Sequence, residues 1–100
     1  MRKIVLRNED VTRVMMGTPK KHSHIRTIIE TENESYIFQE ATIASIVRAY
    51  ITLKTEPTIY GVELVGKKCE ERKEGYAKYQ LLESGKTTEK VISELSQILR

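Results

Sequence analysis

The chain has 100 residues, 39% of them hydrophobic and 31% charged, with a formal net charge of +3. That length suits one domain, 1–100, able to bury roughly two thirds of its unfolded surface without staples. A charge this modest does not by itself argue for nucleic acid, and no apolar run approaches the roughly 18 residues a membrane span needs.

A single cysteine, Cys69, excludes an internal disulfide framework and fits a reducing cytoplasm. The opening MRKIVLRNED has too short an apolar stretch to read as a signal peptide. Glutamate outnumbers aspartate thirteen to one, isoleucine reaches eleven, and Asn and Gln together number five. Enrichment in Lys and Glu with few labile amides is the heat-adapted pattern, so the composition looks thermophilic or archaeal.

In chain order, Ile4–Val5–Leu6 reads as a short strand and Asn8–Glu9–Asp10 as a turn. Val11 to Met16 is a second strand, stopped by Gly17 and Pro19. Ile25 to Thr31 is a third, with Ile25, Thr27 and Ile29 on one face and His24, Arg26 and Glu30 on the other. A polar turn, 32–35, returns the chain through Tyr36–Ile37–Phe38.

A helix follows at once, from Glu40 to Lys54. Leu53, Ile46, Tyr50, Ile43, Val47, Ile51 and Ala44 span about half of its circumference at about 100° per residue. The other half carries small residues, Ala41, Ser45, Ala49 and Thr52, with Arg48 at the border. If the chain's own sheet covers the large half, Val47 and Ile51 are nearly fully buried. The small half then needs a second cover, from the last helix or another copy of the chain. Pro57 excludes further helix at Glu56.

Thr58 to Val65 reads as a strand, 67–75 as a charged, solvated connection, and Tyr76 to Leu82 as the partner strand. Thr87 or Thr88 caps a last amphipathic helix carrying Val91, Ile92, Leu95, Ile98 and Leu99, with Glu89 suited to its dipole. The fold class is α+β: a largely antiparallel sheet of hairpins with two helices, in the order ββ-ββα-ββα, helices packed on one face. A parallel pairing of 36–38 with 58–65 would need a right-handed crossover. The expected core is Ile29, Phe38, Ile43, Val47, Tyr50, Ile51, Val62, Leu64, Leu81 and Ile98.

Candidate chemistry is sparse. Gly85–Lys86–Thr87 lies between a strand and a helix, as a phosphate loop does, but the first glycine of that motif is replaced by Gln80. A turn glycine followed by a cap accounts for it, with an anion site at Lys86 as the functional alternative. His22 and His24 share a strand face and could hold a metal only with a third ligand, which no spacing supplies. Cys69 has basic neighbours but no adjacent base to activate it. Nothing resembles paired catalytic carboxylates, and no cofactor is implied.

Three readings follow from these residues. The first is a small cytoplasmic binding domain that self-associates as a homodimer or higher oligomer. The second is a nucleic-acid (RNA) binding module whose basic patch is Lys20, Lys21, Arg26, Lys67, Lys68 and Lys78, with Lys86 as a further anion contact and Tyr36, Tyr60 and Tyr76 as stacking candidates. The third is a ligand-binding or catalytic subunit whose site forms between protomers around His22, His24 or Lys86. An enzyme is the less expected of these outcomes, and no membrane partner is expected.

Overall fold

A computed structural model describes residues 1–70 and 78–100. The expected Tyr76 lies outside the described residues, as do the last residues of the charged connection. The protein is α+β, with two helices and five strands in two antiparallel sheets. The chain divides into two compact units, Met1–Ile43 and Ala44–Arg100.

The first unit is a three-stranded meander of β1 (Arg13–Gly17), β2 (Arg26–Glu30) and β3 (Ser35–Gln39), in spatial order β1-β2-β3. Its register sets Val14, Ile29 and Tyr36 in one row across the sheet, and Met16, Thr27 and Phe38 in the next. The alternation expected for Thr27 and Ile29 is therefore the observed one. Thr27 is 4% exposed, and its hydroxyl has no hydrogen-bond partner among the described residues. A buried hydroxyl left so costs roughly 1–3 kcal/mol.

The β2–β3 turn is closed by Thr31, whose N–H donates to the Glu34 carbonyl at 2.9 Å while its hydroxyl accepts from the Glu34 N–H at 3.1 Å. The Arg13 guanidinium bridges to Glu30 at 2.7 Å across the β1–β2 ladder. That contact holds the Glu30 carboxyl below its ordinary range.

Ile4–Leu6 forms no strand and stays exposed. It pairs with no strand among the described residues, and the Asn8–Asp10 turn that follows is a single 3-10 turn. Asp10, the only aspartate, reaches back to accept from the Arg7 backbone N–H at 3.1 Å and from its guanidinium at 3.2 Å.

Helix α1 (Glu40–Thr55) begins directly after β3 and runs into the second unit. Its first residue, Glu40, lies within the first unit, where its carboxylate accepts from the Ile25 N–H at 3.0 Å. The second unit continues with β4 (Leu64–Lys68), β5 (Tyr79–Glu83) and α2 (Thr88–Ile98).

Strand β4 starts six residues later than Thr58. Pro57 and Thr58 form a turn, and the next residues pack on α2 instead of pairing. Gly61 is buried so tightly there that an added Cβ would stand 3.1 Å from the Thr88 carbonyl oxygen and from Val91. The hairpin instead carries the lysines: Lys67 pairs with Gln80 and Lys68 with Tyr79. The ladder runs on to the Cys69 N–H, which donates to the Lys78 carbonyl at 2.7 Å. Residues expected in a solvated connection thus form strand, because backbone pairing is satisfied while their charged side chains stay in water.

Val91, 5% exposed, is the buried apolar residue of α2. The Thr87 hydroxyl caps this helix by accepting from the Lys90 N–H at 3.3 Å. The expected core is corrected at four positions: Val47, Tyr50, Ile51 and Ile98 are all about half exposed. Ile29, Phe38, Ile43, Val62, Leu64 and Leu81 are half-buried rather than sealed.

Candidate interaction surface

Helix α1 is two-faced, and the faces are the reverse of the expectation. The half with small residues is largely the covered one, although its first member, Ala41, is exposed. Ser45 is buried, and Ala49 and Thr52 are half-buried. Together with Arg48 they line one wall of an open groove of about 350 Å³ whose other wall is the β4–β5 hairpin, at Leu64, Leu81, Leu82 and Glu83. The Arg48 guanidinium donates to the Ser45 hydroxyl at 3.3 Å inside this groove.

The large half faces outward. Ile46, Val47, Tyr50 and Ile51 are 49%, 47%, 59% and 52% exposed, and Leu53 is exposed beside them. These side chains stand at positions three and four apart, so they form one continuous stripe. Between Glu40 and Lys54 it contains no charge, since Arg48 points into the groove. Lys54 closes its C-terminal end with its ammonium 5.8 Å from the centre of the Tyr50 ring. Apolar residues scattered singly on a surface are ordinary, but a contiguous stripe of this kind marks an interaction site.

The basic residues fall into separate places. Lys20 and Lys21 occupy the centre of a β-turn closed by the His22 N–H on the Pro19 carbonyl at 3.1 Å, and Lys21 takes a φ of 68° there. Arg26 opens β2 nearby. His22 is exposed, and His24 lies 3.5 Å from the Glu40 carboxylate. No group of three or more metal-ligating side chains forms among the described residues. Lys67, Lys68 and Lys78 gather in the second unit at the end of the β4–β5 ladder, with Lys68 3.7 Å from Glu70. Cys69 is a half-buried free thiol between them.

Lys86 is engaged by two carboxylates. Its ammonium lies 2.8 Å from Glu94 and 3.0 Å from Glu63, which raises its pKa above the ordinary lysine value. The same bridge lowers Glu63. Gly85, at a φ of 83°, makes the turn, and Thr87 caps the helix, so Gly85–Lys86–Thr87 has the geometry of a turn and a cap. A cation held by two carboxylates offers little net charge to a phosphate.

Sequence reasoning missed this ion triad, because nothing in the spacing of Glu63, Lys86 and Glu94 brings them together. It also missed the Tyr60 hydroxyl donating to Glu89 at 2.8 Å, a contact that raises the Tyr60 pKa. The groove is half legible in the sequence, since Ser45, Ala49 and Thr52 of the small half line it while Ala41 is exposed.

No protein-family model, curated protein or solved structure matches this chain. Among the described residues, no helix is long and apolar enough to cross a membrane.

Proposed function

We propose that this protein is a small interaction domain that self-associates through the outer face of α1. The observation that supports this is the uncharged stripe of Ile46, Val47, Tyr50 and Leu53, which stays exposed while the opposite face of the same helix is covered. Burying such side chains against a second copy gains about 25 cal/mol for every Å² removed from water. Sedimentation equilibrium tests the reading. The expected species has twice the 11.6 kDa mass of one chain, and Ile46→Glu returns it to the monomer. A wild-type monomer at every accessible concentration overturns the reading.

RNA binding is the second reading, supported by the placement of Lys67, Lys68 and Lys78 at one end of one hairpin. If these contact phosphates, RNA affinity falls linearly with log salt, and removing two lysines lowers the slope by roughly 1.4–2. Fluorescence anisotropy near physiological salt decides this. Absence of binding there removes the reading.

A further inference from the structure

The charges at the two ends of α1 define how a second copy would dock. Ile43, Ile46, Tyr50 and Leu53 follow the alternating three- and four-residue spacing of a coiled-coil seam. Glu40, Val47 and Lys54 flank that seam in one line, seven residues apart. Among these flanking positions, a negative charge stands at the start, an apolar residue in the middle and a positive charge at the end. Such a line is complementary to its own reverse.

We infer that two copies pair through antiparallel α1 helices, with Glu40 of each chain beside the partner's Lys54. The inference rests on the self-association reading and adds the direction and register. Ile43 then packs against the partner's Leu53, and Ile46 against the partner's Tyr50. Val47 meets the partner's Val47 near the two-fold axis, and the Glu40–Lys54 pair occurs twice by symmetry. A parallel pairing in the same seam places Lys54 beside the partner's Ala49 and forms no ion pair.

Antiparallel docking also sets each helix's positive N-terminus beside its partner's negative C-terminus. Arg48, Ser45 and Thr52 stay on the groove side and do not enter the seam. Glu40 already accepts from the Ile25 N–H through one oxygen, and its other oxygen lies 3.5 Å from His24 Nδ1. A carboxylate offers about four lone-pair sites, so the partner's ammonium can share it.

Sedimentation of wild type, Lys54→Arg, Lys54→Glu and Ile46→Glu tests the register, with circular dichroism confirming each fold. Lys54→Glu sets two glutamates against each other at both ends, so its dimer dissociation constant rises about tenfold or more. The rise shrinks in high salt, and Lys54→Arg keeps the wild-type value. A spin label at Thr55→Cys, in a Cys69→Ser background, lies about 21 Å along the axis from its copy in the antiparallel pair and level with it in a parallel one.

A dimer broken by Ile46→Glu but unchanged by Lys54→Glu, or with level labels, overturns the antiparallel register and leaves self-association standing. A wild-type monomer overturns both.

Discussion

Helix α2 turns Val91 onto the Gly61 backbone, is capped by Thr87, and has Glu94 tied through Lys86 to Glu63. Helix α1 is longer and richer in isoleucine, yet its large side chains face outward and its small ones face the chain. Both helices are amphipathic. The difference is that α2 finds an intramolecular neighbour shaped to its first apolar residue, a glycine that lets backbone and Val91 meet. Among the described residues, the outer face of α1 stays exposed. Amphipathicity alone therefore says that a face wants cover and is silent about whose surface supplies it. The end of α2 shows the same, since Leu95 and the C-cap Leu99 are exposed.

Substitutions can break this contrast. Gly61→Ala should have the largest effect on monomer stability. Its Cβ would meet the Thr88 carbonyl and Val91 at 3.1 Å, and overpacking of this kind costs about 1–3 kcal/mol. Val91→Ala, at a buried site, should cost a similar amount through lost transfer energy and the cavity left behind. Val47→Ala should cost the monomer less than about 0.5 kcal/mol, as expected away from buried features, while weakening self-association. Urea denaturation below the association range ranks the three. If Val47→Ala proves as costly as Val91→Ala, the outer face of α1 is covered within the monomer and the contrast fails.

A smaller loss, about 1 kcal/mol, is expected for Thr87→Ala, which removes the hydroxyl that accepts from Lys90. Thr87→Asn should restore most of it. A Thr87→Ala variant as stable as wild type would mean that the cap contributes nothing.

The smallest effect concerns pH. Glu63 is held below its ordinary pKa by Lys86. Its contribution to stability is thus complete above the ordinary carboxylate range and is lost as pH falls through its lowered folded value. Lys86→Met removes the largest cause and leaves the Ser84 hydrogen bond, so the stability lost on acidification should be smaller in that variant than in wild type. An unchanged acid dependence would show that solvent screens the triad completely.

Periodicity and turn chemistry made much of this fold legible. The meander follows from alternation at Thr27 and Ile29 and from the polar turn at 32–35. Helix α1 follows from its 3.6-residue pattern after Phe38, and α2 from the threonine cap before Val91. These are local signals, set by backbone sterics and near neighbours.

Local signals ran out where one segment had to choose between competing surfaces. Thr58–Glu63 carries strand-like residues, but Gly61 fits the α2 backbone, so pairing begins only at Leu64. Lys67 and Lys68 look like a solvated connection, yet the ladder with β5 extends through them because a strand needs backbone partners rather than apolar side chains. The orientation of α1 depends on which neighbour tolerates close approach. Its small face, with Ser45, Ala49 and Thr52, lines a groove whose other wall is the hairpin. That fit is a property of two surfaces brought together by folding, and a helical wheel contains only one of them.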